Sequence, residues 1–170
     1  LETPGPVFFR QSRIGRDGQT IRILKFRTMV RNAEEVLEKY LAANPGLRKE
    51  WEEDQKLRHD PRITRIGTLL RRTSLDELPQ LWNVLIGQMS LVGPRPIVED
   101  EIIRYGSAFN AYKRVRPGMT GLWQVSGRND LSYKQRVHLD RFYISNWSTW
   151  LDLLILARTL PVVLGRKGAY

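Results

Sequence analysis

The stretch that most constrains this chain is Arg71-Arg72-Thr73-Ser74-Leu75-Asp76-Glu77-Leu78-Pro79-Gln80-Leu81-Trp82-Asn83-Val84-Leu85. Leu75, Leu78, Leu81 and Leu85 recur at helical spacing, which predicts an amphipathic helix with one buried stripe. Ser74 followed three residues later by Glu77 fits a capping box. That puts Asp76 and Glu77 in a first turn, where free N–H groups and the helix dipole favour negative charge. Pro79 conflicts with an unbroken helix, because a proline past the first turn removes a hydrogen bond and kinks the chain. The two carboxylates therefore stand at a helix entrance or at a bend, and both are places where side chains converge on a ligand. The structural alternative is that Glu77 is only the reciprocal half of a cap, since acidic residues are favoured in any first turn.

Upstream, Thr3-Pro4-Gly5-Pro6 is a turn, and a chain that begins with Leu rather than Met reads as a fragment of a longer protein. Val7 to Gln11 and Thr20 to Phe26 read as two strands, and Asp17-Gly18 between them is a hairpin signal. Ile21, Ile23 and Lys25 alternate onto one face of the second strand, with Arg22, Leu24 and Phe26 on the other. Lys25 and Arg27 flank Phe26 and share a face, either to meet a phosphate or as solvated strand charges. Asn32-Ala33-Glu34-Glu35 is a second capping-box signature, opening a helix to about Ala43 that Asn44-Pro45-Gly46 ends. Leu47 to Lys56 reads as a solvated helix anchored by Trp51. His59-Asp60-Pro61 is a loop, and Ile63, Ile66, Leu69 and Leu70 form a short helical stripe leading into Arg71.

Downstream, Met89 to Val92 predicts a short buried strand, followed by the stiff loop Gly93-Pro94-Arg95-Pro96. A rigid loop displaying one arginine suits bidentate recognition of phosphate; the alternative is a proline-rich turn whose arginine faces water. Ile97 to Tyr105 and Phe109 to Val115 predict two short helices, and Arg116 to Asn129 a long, turn-rich loop of the kind that often carries function. Ser132 caps a helix to about Ser145, on which His138 has a structural role. The apolar run from Trp147 to Leu164 is interrupted by Asp152, Arg158 and Pro161 and is too short to span a bilayer. It is either a buried core helix or a segment lying in a membrane interface, with Trp147 and Trp150 beside its apolar face and Arg166 and Lys167 after it.

These elements describe an α+β chain, mostly helical with a small N-terminal β-hairpin, and 170 residues suit one domain over residues 1–170. Lys and Arg number 28 against 18 Asp and Glu, a net charge of +10 that points to nucleic acid, a phosphorylated substrate or anionic lipid. The absence of cysteine excludes disulfides and thiolate zinc sites, and His59 and His138 alone argue against a histidine-rich metal site or a serine-type triad. There is no Walker A motif and no GxGxxG. A nucleic-acid-binding domain accounts for the charge, but no basic recognition helix, zinc spacing or RNA-binding signature is present. A peripheral membrane module without catalysis accounts for the charge and the last apolar run, and leaves the Asp76-Glu77 turn without a role.

Ser74-Leu75-Asp76-Glu77-Leu78-Pro79-Gln80, followed by Met89-Ser90-Leu91-Val92-Gly93-Pro94-Arg95-Pro96, closely resembles the bacterial sugar transferase family, the monotopic phosphoglycosyl transferases. Lys25-Phe26-Arg27-Thr28-Met29 and the Arg116 to Asn129 region resemble it too, and the ending from Trp147-Ser148 looks most like the undecaprenyl-phosphate hexose-1-phosphate transferases of polysaccharide assembly. The resemblance runs from Pro4-Gly5-Pro6 to Gly165. In that family a hydrophobic re-entrant membrane helix precedes the Pro-Gly-Pro turn, and it is missing from this sequence.

The resemblance implies transfer of a sugar 1-phosphate from a UDP-sugar to a polyprenyl phosphate, with release of UMP, at the cytoplasmic face of a bacterial inner membrane. It makes Asp76 the nucleophile, keeps it ionised at a helix N-terminus, and forms an aspartyl-phosphosugar. Asp76 and Glu77 together would hold Mg2+, an ion that typically uses one or two carboxylates plus substrate phosphate oxygens. Lys25, Arg27, Arg71 and Arg95 would offset the diphosphate charge, and Arg128 and Asn129 would lie at the nucleotide-sugar site. The implied partners are the UDP-sugar, the polyprenyl phosphate and an anionic membrane surface; nucleic acid is not among them, and a homo-oligomer is compatible with the reading.

Overall fold

Two antiparallel strands, β1 (Phe8–Ile14) and β2 (Thr20–Phe26), pair along their full length, Phe8 opposite Phe26 and Ile14 opposite Thr20. The turn signal forms the tip: Asp17 and Gly18 both take positive φ, 58° and 75°. This computed structural model describes residues 2–54, 57, 59–127 and 130–164. Alternation puts Ile21 and Ile23 into a core with Met89, against which Val84 and Met119 pack.

After the hairpin come α1 (Ala33–Ala43), α2 (Pro45–Asp54), α3 (Arg65–Arg72), a 3-10 turn at Leu75–Glu77 and the short helix α4 (Gln80–Leu85). Leu37, Leu41 and Leu57 form a side cluster with Trp51, which also carries the Arg62 guanidinium over its ring at 4.7 Å. Trp51 is thus the expected anchor.

Next are β3 (Ser90–Val92), a 3-10 turn at Glu99–Glu101, α5 (Ile102–Tyr105), a 3-10 turn at Gly106–Ala108 and α6 (Phe109–Tyr112). The last described elements are β4 (Gly118–Thr120), α7 (Leu122–Ser126), α8 (Tyr133–Ser145) and α9 (Thr149–Leu164). The Arg116 to Asn129 region is therefore more than the expected loop: β4 pairs in parallel with β3, and Leu122 and Trp123 of α7 are buried. The close approach depends on glycine, since a Cβ on Gly118 would lie 2.2 Å from the Gly93 nitrogen. The Ser132 cap forms as expected, with its hydroxyl accepting from the Gln135 amide.

Among the described residues the architecture is α+β, with two two-stranded sheets among helices. Two larger clusters complete it, one around Ile14, Ile97, Tyr105 and Tyr112, the other around Val92, Leu122, Tyr143 and Ile155. α9 buries Ile155 and exposes Trp150, Leu153, Leu154 and Leu160, so it is a core helix on one side and apolar in solvent on the other. Among the described residues no helix is long and apolar enough to cross a membrane.

The central stretch departs from its expected form. Leu75, Leu78, Leu81 and Leu85 are 42, 46, 42 and 78% exposed, and the buried residues of α4 are Gln80 and Asn83. The reason is the open edge of β2. Asn83 Oδ1 accepts the Leu24 amide at 3.0 Å and its Nδ2 donates to the Arg22 carbonyl at 2.9 Å, satisfying backbone groups that would otherwise lack partners. With Asn83 turned inward, the leucines face out.

Candidate active site

The site begins with a glycine. Gly67 is buried where α3 crosses Thr28, and a Cβ there would lie 2.1 Å from the Thr28 carbonyl oxygen. This contact brings Arg71, one turn later, onto the Thr28 side chain, with Nε donating to Oγ1 at 2.9 Å. α3 then stops, and Ser74 takes the left-handed region with φ 55° and ψ 15°. That conformation is uncommon for a residue with a Cβ and costs on the order of 1–2 kcal/mol. It turns the chain into the 3-10 turn bearing Asp76 and Glu77, and Ser74 makes no side-chain cap bond there. The expected capping box is therefore absent. The helix entrance at Asp76 is also absent, because α4 starts only at Gln80, after Pro79.

Glu77 is held by the hairpin, Lys25 Nζ donating to its Oε1 at 2.7 Å. Asp76 is half-buried beside it. Burial pushes the Asp76 carboxyl above its ordinary value, Glu77 pushes further in the same direction, and Lys25 and Arg71 pull against both. A helix dipole does not keep Asp76 ionised here; the two cations oppose a burial effect that is larger. Burial likewise lowers the Arg71 guanidinium, against the pull of Asp76 and Asp60. Lys25, Arg71, Asp76 and Glu77 thus converge from β2, α3 and the 3-10 turn.

The other expected residues lie elsewhere or outside the description. Arg27 falls just beyond β2 and directs its guanidinium at the Thr3 and Pro4 carbonyls, at 2.9 and 3.1 Å. Arg95 is exposed on its proline loop and lies over the Trp123 ring at 5.9 Å. Arg128 and Asn129 lie outside the described residues, as do Arg166 and Lys167. Sequence reasoning missed Arg13, a buried guanidinium on the inner face of β1 that interacts electrostatically with Arg95 and Glu77. Its signal was faint: it follows Gln11 by two residues, so the two share a strand face. Among the described residues, no group of three or more His, Cys, Asp or Glu is placed to hold a metal ion.

The family model described as bacterial sugar transferase matches residues 1–166. The chain belongs to the bacterial sugar transferase family. Among its relatives in that family, the UDP-galactose-lipid carrier transferase of Erwinia amylovora is 58% identical over 166 residues, covering 98% of this chain and 35% of the relative. The undecaprenyl-phosphate galactose phosphotransferase of Salmonella typhimurium is 56% identical with the same coverage. The exopolysaccharide production protein ExoY of Rhizobium meliloti is 52% identical and is covered over 74% of its length. The chain thus spans 35% of the first two of these family members, and the matched region includes the whole Asp76–Glu77 site.

Proposed function

We propose that this sugar transferase chain moves a sugar 1-phosphate from a UDP-sugar to a polyprenyl phosphate, with Asp76 as the nucleophile, as the first step of assembling an extracellular glycan. The observation that carries the reading is the convergence at one turn of two half-buried carboxylates with Lys25 and Arg71. Phosphoryl transfer asks of a protein mainly positioning and charge compensation, and this cluster supplies both. An Asp76 carboxylate oxygen attacks the phosphorus bearing the sugar, and the bond to the bridging oxygen breaks. UMP departs with the electron pair. A lipid phosphate oxygen then attacks the same phosphorus, breaking the bond to Asp76 and restoring the carboxylate. The relatives named for galactose–lipid carrier and undecaprenyl-phosphate transfer support the substrate pair.

Magnesium fits this donor set. Asp76 and Glu77 are adjacent carboxylates whose mutual repulsion helps hold the Asp76 carboxyl above its ordinary value, and a divalent cation relieves such repulsion. Asp76 and Glu77 would hold it, and it would neutralise charge on the transferring phosphate. Lys25 would keep Glu77 oriented, and Arg71 would face the diphosphate.

A polyprenyl phosphate acceptor requires a membrane surface, and exposed apolar side chains support attachment to one, which this reading places at the cytoplasmic face of the inner membrane. Leu78, Leu81, Trp82 and Leu85 line one exposed face beside the carboxylates, and Trp147 and Trp150 mark another at α9.

The deciding experiment incubates full-length protein in detergent with radiolabelled UDP-galactose and polyprenyl phosphate. UMP release, and label retained on the protein when the acceptor is omitted, should both vanish in Asp76→Asn. Turnover above a few per cent of wild type in that variant would exclude the covalent mechanism.

A further inference from the structure

At the far end of the hairpin from the carboxylates lies an open cavity of about 320 Å³, lined by Arg16, Val92, Arg114, Arg116, Tyr143 and Trp147 among others. Strand register fixes the separation. Lys25, which holds Glu77, stands opposite Phe9, whereas Arg16 lies beyond the last pair, Ile14 and Thr20. The strand from Thr20 to Lys25 spans roughly 17 Å at about 3.3 Å per residue. Three sets of contacts assemble the cavity. The Asp17 amide donates to the Lys113 carbonyl at 2.7 Å, holding the hairpin tip against the segment that carries Arg114 and Arg116. The Ser90 amide donates to the Pro117 carbonyl at 2.9 Å and sets that segment beside β3. The Tyr143 hydroxyl and Trp147 Nε1 donate to the two oxygens of Asp152, at 2.7 and 3.1 Å, which fixes the wall formed by the end of α8.

The lining is basic at its rim and apolar within. Arg16, Arg114 and Arg116 are exposed, while Val92 and Tyr143 are buried. Asp17 approaches Arg16 at 3.6 Å, but Arg114 and Arg116 form no ion pair among the described residues. Apolar side chains in solvent stand on both flanks. A Cβ on Gly87 would lie 3.8 Å from an Arg116 terminal nitrogen, and Gly87 directly follows the exposed Leu85 and Ile86. Trp147 belongs to the lining itself and leads to the exposed Trp150, Leu153 and Leu154 of α9. These features select a ligand with a phosphate at one end and hydrocarbon at the other. Guanidinium forks suit phosphate oxygens, and exposed tryptophan and leucine suit the acyl boundary. A free phosphate would engage the arginines and leave both apolar flanks in water.

We propose that this cavity is a headgroup site for an anionic phospholipid, with Arg114 and Arg116 on the phosphate, Arg16 at the rim, and Leu85, Ile86, Trp147 and Trp150 against the acyl chains. The inference rests on the reading that places this protein at a membrane surface, and it narrows a general basic attraction to one built site. It does not depend on Asp76 being a nucleophile. A headgroup held here brings the α4 and α9 apolar faces to the acyl boundary together, and so fixes how the hairpin tip sits on the membrane.

The test titrates full-length protein in non-ionic detergent with dioctanoyl phosphatidylglycerol, dioctanoyl phosphatidylcholine and glycerol 3-phosphate, read by calorimetry and thermal melting. The phosphatidylglycerol should bind and raise the melting temperature, and the other two should bind at least about tenfold more weakly, equal to 1.4 kcal/mol. Glycerol 3-phosphate binding as tightly as the lipid would make this a site for soluble phosphate and overturn the proposal. Arg114→Gln with Arg116→Gln should weaken phosphatidylglycerol binding at least about tenfold without lowering the ligand-free melting temperature, because both side chains are exposed. Unchanged affinity in that double variant overturns the site. Lys39→Gln with Arg48→Gln removes the same charge from α1 and α2 and should bind as wild type does; an equal loss there would reduce the effect to net charge. The Arg114/Arg116 variant should also keep wild-type UMP release in detergent, and a loss matching its lipid affinity would instead assign the cavity to the acceptor. Asp76→Asn keeps the two readings apart: it should bind phosphatidylglycerol normally, and its loss of turnover bears on the nucleophile alone.

Discussion

Asn83 stands where a third strand would be, its Oδ1 accepting the Leu24 amide and its Nδ2 donating to the Arg22 carbonyl. Nδ2 also donates to Gln88 Oε1 at 2.8 Å, so one buried amide joins β2, α4 and the turn after it. The same bonds orient the segment that carries Asp76 and Glu77.

Asn83→Leu should therefore be far more damaging than its apolar character implies. It would leave the Leu24 amide and the Arg22 carbonyl without partners, each costing about 1–3 kcal/mol if it stays buried. Urea unfolding should show the loss directly. Leu85→Asn, on the exposed face of the same helix, should change stability by less than about 0.5 kcal/mol.

Gly67→Ala tests how Arg71 reaches the carboxylates. The added carbon would meet the Thr28 carbonyl oxygen at 2.1 Å, which is backbone and cannot swing aside. α3 must shift, at a cost of about 1–3 kcal/mol, and the Arg71–Thr28 bond should break. UMP release should fall at least about tenfold even under conditions where the variant remains folded, since misplaced positioning groups alone cost that much. Circular dichroism and the transfer assay on one preparation separate the two effects.

Asp140 predicts a pH dependence with a definite sign. It is 1% exposed, accepts from the Tyr105 hydroxyl at 2.7 Å, and has its other oxygen unpartnered. Burial pushes its carboxyl from 3.8 up to about 7, so across that window the folded state holds a proton that the unfolded state releases. Stability from this group therefore falls as pH rises from about 4 to about 7, and the loss is complete above that. Asp76 acts in the same direction, its carboxyl also being raised. Asp140→Asn keeps an acceptor for Tyr105 and should flatten the profile, gaining on the order of 5 °C over wild type at pH 8 and little at pH 4.5. Equal differences at both pH values would contradict the assignment.

Trp147 and Trp150 are 62 and 81% exposed at the start of α9. Replacing both with Ala should weaken binding to anionic vesicles at high salt as well as low, because buried apolar area is not screened. Trp147 Nε1 donates to Asp152 at 3.1 Å, so a modest drop in melting temperature should accompany the change. Vesicle co-sedimentation across a salt series, with parallel melts, checks both. Unchanged partition at high salt would remove these tryptophans from the membrane contact.

Much of this protein is legible in one dimension. The hairpin, the Ser132 cap, the Trp51 anchor and the family follow from local signals: period-two alternation, a turn pair with positive φ, a hydroxyl residue just before a helix and contiguous motifs, whereas the capping boxes expected at Ser74 and Asn32 do not form. The leucine spacing at 75, 78, 81 and 85 marks one face, but spacing cannot say which way that face points. Direction is decided by what the neighbouring element lacks, here hydrogen-bond partners along the edge of β2, which Asn83 supplies and leucine cannot. The electrostatics of the candidate site are also tertiary in origin. Asp76 is held above its ordinary value by burial and Glu77, with Lys25 far away in sequence pulling the other way. Arg13 becomes notable only once folding has buried it near Arg95 and Glu77. Sequence determines which groups exist and which strand or helix face they share; only packing across distant segments decides which charges meet and how much water is left between them.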